Sequence, residues 1–260
     1  MRTDGRLHKA PVESACHTGG RGRRSLCTAA KNFQPTPALS MASMARPSKN
    51  INDWGQDVPL FINDLQTQRV KVLFSLDDQL SFEMHTSGVA KDRYLQQQLQ
   101  QSHIEYVIDP QNAIEDGYTF AANADFTQPG PVRDQVMQIK SLIDQINARR
   151  AANPNDVVAV HCGAGDGRSG TVKSAVMIEK LLREQPGRYR QGVADDNKQL
   201  ASIHTEISED LNDLIDADNP AYEVVADAIN AVRATHPNAV ERMSDVNLLN
   251  AYARFLLINP

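Results

Sequence analysis

Cysteine is scarce in this chain: three occur in 260 residues, Cys16, Cys27 and Cys162. Two of them fall in the first fifty residues, so no disulfide framework can be drawn, and the usage fits a reducing, cytoplasmic setting. Long apolar runs are missing as well. Nothing approaches the roughly eighteen consecutive apolar residues of a membrane span. The longest stretches, such as Val157–Val160 and Phe255–Ile258, suit a core. No apolar segment follows the basic start, which argues against a secretory signal peptide. Aromatic residues make up only 5% of the chain, with one tryptophan, Trp54. Beyond residue 50, positive charge is in deficit: 18 Lys/Arg stand against 30 Asp/Glu, a net −12. Such a body excludes nucleic acid as the main partner, since phosphate backbones are held by Lys and Arg. It equally excludes a broad basic face for anionic lipid.

The first fifty residues are the reverse, with nine basic and two acidic residues among Arg, Ser, Ala, Gly and Pro. Without apolar periodicity they read as a disordered basic tail over 1–50. Met41 and Met44 stand as alternative starts of the chain. The body then alternates. Helices are expected over Leu60–Thr67, Lys91–Gln101, Val132–Arg149 and about Ser169–Arg183. Strands are expected at Val70–Leu76, His103–Ile108 and Asp156–Val160. Residues Asp109–Pro131, with Gly117, Pro129, Gly130 and Pro131, read as loop. Strand–helix alternation predicts an α/β domain over 51–190 with a central mixed or parallel sheet flanked by helices. Residues 191–260 read as a helical C-terminal extension that packs on or completes the domain. Its helices are expected near Asp196–Ile215, Ala221–Thr235 and Ser244–Leu257.

The chemistry concentrates in Val157–Thr171, VVAVHCGAGDGRSGT. A buried strand runs into a glycine-rich loop that opens a helix, which makes an anion site from inward-pointing N–H groups and the positive helix end. Gly163, Gly165 and Gly167 allow tight turns and close approach of a ligand. Cys162 ends the strand, where such a field favours the nucleophilic thiolate over the thiol. Arg168 lies six residues on. A loop of that length wraps one tetrahedral oxyanion, and the guanidinium fork holds two of its oxygens. Ser169 follows, with a hydroxyl able to reach the sulfur and ease its departure, and His161 precedes the cysteine to organise the loop. Gly165–Gly170 also satisfies the spacing GxGxxG, but some twenty residues later stands Arg188-Tyr189-Arg190 instead of an acid. A nucleoside-triphosphate loop needs GK[ST], whereas Gly170 is followed by Thr171.

HCGAGDGRSGT resembles the HCxxGxxR[ST]G signature of the protein tyrosine and dual-specificity phosphatases. The resemblance implies that family's compact α/β domain, a phosphocysteine intermediate and no metal or organic cofactor. It implies catalytic roles for Cys162, Arg168, Ser169 and His161. Substrate phosphate would lie on Gly163, Ala164, Gly165, Asp166, Gly167 and Arg168. It further implies an aspartic general acid on a loop upstream of the cysteine. Asp125-Phe126-Thr127-Gln128-Pro129 resembles the Asp-aromatic-x-x-Pro part of that loop, although Asn123-Ala124 replaces the usual Trp-Pro; Asp109 and Asp116 compete. Lys91-Asp92-Arg93-Tyr94 is better explained as a charged helix face than as a phosphotyrosine loop. Gln199 is a weak candidate for orienting water, His204 and His236 are expected at the surface or at helix ends, and Trp54 is expected to anchor the domain edge.

The short distance from Ile51 to Cys162 favours the compact, dual-specificity-like architecture. Asp166 would repel a polyphosphorylated headgroup if it faced the pocket. The expected substrate is therefore phosphotyrosine on protein, with dual specificity as an extension. Inositol phosphates or phosphoinositides, and a catalytically dead phosphate-binding module, are the alternatives. A basic, Ser-rich start joined to a phosphatase would also suit a bacterial effector delivered into host cytoplasm.

Overall fold

In the computed structural model, residues 33–47, 54–77, 89–109, 114, 129–189, 220–240 and 242–259 are described. Strand β1 (Gln34–Thr36) turns through a 3₁₀ segment, Pro37–Leu39, into β2 (Met41–Ala45). Helix α1 (Trp54–Thr67), β3 (Val70–Ser75), α2 (Val89–Gln101) and β4 (Glu105–Val107) follow. Then come α3 (Pro131–Ala152), β5 (Val157–Cys162), α4 (Gly167–Glu184) and the single turn α5 (Pro186–Tyr189). Two further helices, α6 (Pro220–Arg233) and α7 (Met243–Ile258), complete the described elements.

The strands form one sheet in the order β1-β2-β5-β3-β4, parallel throughout except for β1, which pairs antiparallel with β2. Parallel strands are normally covered on both faces, and here both covers are present. Ala42, Met44, Leu73 and Ala159 face a core completed by Val58, Phe61, Ile62 and Leu65 of α1 and by Leu95 and Leu99 of α2. Met41, Val72, Phe74, Val158 and Val160 face the other way, onto α3, α4, α6 and α7. The period-two alternation of a strand breaks once. Val70 and Val72, two apart, lie in opposite cores, and the register against β5 shifts between them. One extra residue at a bulge reverses the facing of everything after it.

Expectation and structure part at the N-terminus. The disordered tail was drawn to residue 50, yet residues 33–47 form β1 and β2, and β2 is buried along its whole length. The segment MASMA hides this because a strand covered on both faces needs no alternation, and its residues are small. Met41 and Met44, 1% and 0% exposed, are core residues of a strand that pairs directly with β5. Residues 1–32 lie outside the described residues.

Helix α4 is buried nearly all round, from Ser169 to Ile178, because it is wrapped by the sheet on one side and by the C-terminal helices on the others. Val225, Ala228, Ile229 and Val232 form the inner stripe of α6, and α7 packs on α3, α4 and α6. Tyr189, fully buried, ties the turn α5 to α6 through a 2.7 Å bond from its hydroxyl to Asp227. The two described C-terminal helices thus share one hydrophobic core with the phosphate-loop half of the sheet. The helix expected over Asp196–Ile215 lies outside the described residues.

Deleting residues 1–46 would remove β1 and β2 and leave β5 as an edge strand. Burial of Met41 and Met44 alone contributes about 1.5–3 kcal/mol each. The truncated chain is expected to lose cooperative urea unfolding followed by circular dichroism; retention of a sharp transition would show that β2 is dispensable.

Candidate active site

In a parallel sheet the carboxyl ends of the strands are where ligands bind. Three neighbouring strands, β2, β5 and β3, end here together, and backbone bonds hold their ends in register. Arg46 N donates to Cys162 O at 3.0 Å, and Leu76 N donates to His161 O at 2.9 Å. Cys162 is the last residue of β5, and Arg46 and Asp77 lie just beyond the ends of β2 and β3. The loop after Cys162 folds back so that Gly165 N donates to Cys162 Sγ at 3.2 Å. Gly165 has φ +94°, and a Cβ there would lie 2.5 Å from Ala45 N. Only glycine supplies that φ without strain and lets the loop rest on the end of β2. Helix α4 then starts, with Gly170 N on Asp166 O at 2.7 Å.

The loop sets Arg168 beside Gly163, the neighbour of Cys162: a Cβ there would lie 3.7 Å from Arg168 Nη2. Arg168 donates from Nη2 to Asp77 Oδ1 at 2.7 Å and from Nη1 to Leu76 O at 3.3 Å. Asp77 is 2% exposed, and its second oxygen accepts from Arg46 Nη1 at 3.3 Å. The carboxylate therefore bridges two guanidiniums, fixing the fork of Arg168 and leaving the trio one positive charge in excess. With both oxygens so occupied, Asp77 is a positioning group. Beneath the loop, His161 is fully buried, stacked on Tyr106 and hydrogen-bonded to its hydroxyl at 2.9 Å. Burial, reinforced by Arg46 and Arg168 against the opposing pull of Asp77, pushes its pKa down to about 4, so the ring is neutral near pH 7.

Several expected roles shift. The side chain of Asp166, placed among the substrate-binding residues, is engaged by the C-terminal part of the chain: its Oδ1 takes a 2.9 Å bond from His236 Nε2. A carboxylate only accepts, so Nε2 carries the proton, and Nδ1 accepts from Ser43 Oγ at 3.4 Å. His236, expected at the surface or at a helix end, lies just past the end of α6 and is 1% exposed, because the 236–240 segment packs onto the start of α4. The approach is close: a Cβ on Gly170 would lie 2.6 Å from Val240 N. Burial and Lys173 lower the pKa of His236 against the pull of Asp166, so the link is a hydrogen bond to a neutral ring. Lys173, fully buried, donates to Gln34 O at 3.2 Å, and burial pushes its pKa down to about 7 although Asp166 opposes this. Ser169 is fully buried, and its hydroxyl has no hydrogen-bond partner among the described residues, Cys162 Sγ included. Ala164 is exposed at the rim of the loop.

Asp125, Asp116, Gln199 and His204 lie outside the described residues. Asp109 follows β4, and β3 separates that edge strand from β5. Trp54 opens α1, and Lys91-Asp92-Arg93-Tyr94 falls on α2. Sequence reading missed Arg46, Asp77, Tyr106, Lys173 and His236 as members of the site. Asp77 carried a signal, an acid directly after the apolar strand VKVLFSL, where parallel strands place functional groups.

Residues 114–212 match the family model of the Swiss Army Knife protein DSP-PTPase phosphatase domain. That stretch holds both the Cys162 loop and Asp125. No curated protein is similar to the chain. Among solved structures, the chain is similar to Tk-PTP in its active form, at 14% identity and a TM-score of 0.46, covering 85% of this chain and 96% of that one. It is also similar to kinase associated phosphatase, at 14% identity and a TM-score of 0.47, covering 84% and 90%. The Yvh1 phosphatase domain from Chaetomium thermophilum follows, at 19% identity and a TM-score of 0.39, covering 73% and 81%.

Burying Lys173 carries a pH-dependent cost. Below about pH 7 the ammonium is charged in both folded and unfolded chains, and the whole penalty applies. Between that point and the ordinary lysine value of 10.5 the unfolded chain binds the extra proton, so stability rises with pH. Lys173→Met is therefore expected to be more stable than wild type at pH 6, by on the order of 2–4 kcal/mol, with the gap closing toward pH 10. Urea midpoints across that range measure it; a gap independent of pH would mean that the lysine stays charged on burial.

Proposed function

We propose that this chain, which carries a phosphatase domain of the dual-specificity type, hydrolyses phosphomonoesters through a phosphocysteine intermediate. The observation that carries the reading is the loop itself. Cys162 Sγ sits within reach of Gly165 N, and Arg168 is locked beside it by a buried carboxylate.

In the first step Cys162 thiolate attacks phosphorus in line. The sulfur–phosphorus bond forms as the bond to the leaving oxygen breaks. Arg168 and the loop amides stabilise the equatorial oxygens, an electrostatic contribution made by groups already in place. Asp125 gives its proton to the departing oxygen. In the second step Asp125 takes a proton from water, whose oxygen attacks phosphorus and releases inorganic phosphate and the thiolate. Ser169 serves that release: a buried hydroxyl without a partner costs about 1–3 kcal/mol, which a bond to the departing sulfur would recover. Neutral His161 supports the loop from below and does not exchange protons near pH 7.

Phosphotyrosine on protein is the substrate that the neutral rim, Gly163 and exposed Ala164, and the acidic body support. The argument against phosphorylated small molecules is weaker than the sequence suggested. It depended on Asp166 facing the pocket, and that carboxylate is held by His236 instead. This favours phosphoesters with more than one phosphate as a second reading. A phosphate-binding module without turnover is the remaining alternative; the presence of Cys162, Arg168 and Ser169 together argues against it.

The test is hydrolysis of an aryl phosphate near pH 6 in the presence of a chelator. Wild type is expected to turn over, Cys162→Ser to be inactive, and Asp125→Ala to fall about 10²–10⁴-fold, the range of a lost general acid. Wild type that binds phosphate but shows no turnover would leave only the binding-module reading standing.

A further inference from the structure

Four of the five residues between Cys162 and Arg168 are glycine or alanine: Gly163, Ala164, Gly165 and Gly167. Asp166 alone has a side chain able to anchor the loop or to disturb it. It stands at the N-cap of α4, where an aspartate ordinarily turns its carboxylate onto the backbone N–H of the second or third helical residue. Here the backbone is helical instead, at φ −102° and ψ −70°, and the side chain makes no capping bond. The amides it would cover are those of Arg168 and Ser169, at the helix end that an anion on this loop would use. A carboxylate in the cap position would be an internal competitor of phosphate.

His236 holds that carboxylate elsewhere, through the 2.9 Å bond from Nε2 to Oδ1. The histidine is itself firmly set. Its amide donates to Val232 O at 2.9 Å, and its carbonyl accepts from Ala239 N at 3.0 Å. Arg233 clamps the residues that follow, donating from Nε to Ala239 O at 2.9 Å and from Nη2 to Val240 O at 2.8 Å. Val240 is left at φ +59°, a left-handed conformation that is strained for a β-branched residue. Such strain persists only where the surroundings impose it, and it recurs at functional sites. Ser43, His236 and Asp166 stand in the order of a hydrolytic triad, but Ser43 is fully buried and its oxygen is 3.4 Å from Nδ1, so no substrate reaches it. What remains is the hold on Asp166. Lys173, in the second turn of α4, also pulls on that carboxylate through its charge, while its amino group donates to Gln34 O at 3.2 Å.

Building on the phosphatase reading, we propose that His236 is a positioning residue that keeps the Asp166 carboxylate off the N-terminus of α4, so that the amides there stay open to the phosphate of the substrate. Without it, Asp166 relaxes to the extended backbone of an ordinary cap, and its carboxylate takes the amides of Arg168 and Ser169 for itself. The C-terminal part of the chain thus controls phosphate binding without touching the phosphate.

Substitution separates the two sides of the histidine ring. His236→Asn keeps an acceptor for Ser43 but withdraws the donor from Asp166, whereas His236→Gln places an amide N–H where Nε2–H was. Each variant is first checked for cooperative urea unfolding. The Kd of inorganic phosphate is then measured by calorimetry, and kcat and KM with p-nitrophenyl phosphate at the same pH. His236→Asn is expected to raise both Kd and KM about tenfold or more, the equivalent of the charge-assisted hydrogen bond that the competitor makes. Its kcat is expected to stay within about threefold of wild type, because saturating substrate displaces the competitor. His236→Gln is expected to recover most of the lost affinity. So is Asp166→Ala added to His236→Asn, which removes the competitor itself. A double variant that binds phosphate as poorly as His236→Asn, or a fall in kcat with Kd unmoved, would show that His236 only supports the fold and would overturn the proposal. One measurement needs no variant: in wild type, the amide protons of Arg168 and Ser169 are expected to exchange at least about tenfold more slowly once inorganic phosphate is added. Equal exchange with and without phosphate would mean that those amides are already occupied, and overturns the proposal as well. The phosphatase reading fails separately: wild type then turns over no p-nitrophenyl phosphate, while the calorimetric Kd values still follow the pattern above.

Discussion

A buried carboxylate shared between two arginines organises this site. Asp77 reaches its position because Leu76 N is bonded to His161 O at the end of β3, and Arg46 reaches its own because its amide is bonded to Cys162 O. The sheet register therefore decides where charge is placed. A buried ion pair gains little stability over a well-packed apolar pair, and removing one partner leaves the others uncompensated. The trio is better understood as a positioning device. On the proposed reading it fixes a cationic fork on the Cys162 loop before a substrate arrives, so that little reorganisation accompanies the charge that develops in the reaction. The neutral state of His161 follows first from its burial, to which both guanidiniums add against the pull of Asp77.

The strand–loop–helix at Val157–Glu184 was legible because three signals coincide there: an apolar strand, glycines where the backbone must turn, and a cysteine and arginine spaced to face each other across a ring. The helices at Pro131–Ala152, Pro220–Arg233 and Met243–Ile258 were legible from their apolar period. The first strands were not. MASMA lacks alternation because both its faces are buried, and its polar surroundings resemble a flexible leader. Missing that strand meant missing Arg46. The burial of His236 was not legible, since nothing in His236-Pro237-Asn238 shows that Val240 will lie against Gly170. Long-range approach of backbone to backbone leaves only a glycine as its mark, and Gly170 was already explained by the loop signature.

The C-terminal helices belong to the candidate site as much as to the core. They wrap α4, and the segment linking them braces the loop through His236 and Asp166. Helix α4 can be apolar nearly all round because these helices keep it from solvent, and the one ammonium buried on it, Lys173, sits where Gln34 O and the Asp166 carboxylate both act on it.

The brace from Ser43 through His236 to Asp166 closes a long circuit, since Ser43 and His236 are 193 residues apart in sequence. Contacts of that separation form late, because the loop entropy must be met before the contact stabilises anything. The loop after Cys162 thus gains its brace at Asp166 only once both outlying parts of the chain have docked on the central sheet. A partly folded chain that already has β5 and α4 would carry Cys162 and Arg168 without that brace, so on the proposed reading activity is tied to completion of the fold instead of to formation of the loop alone.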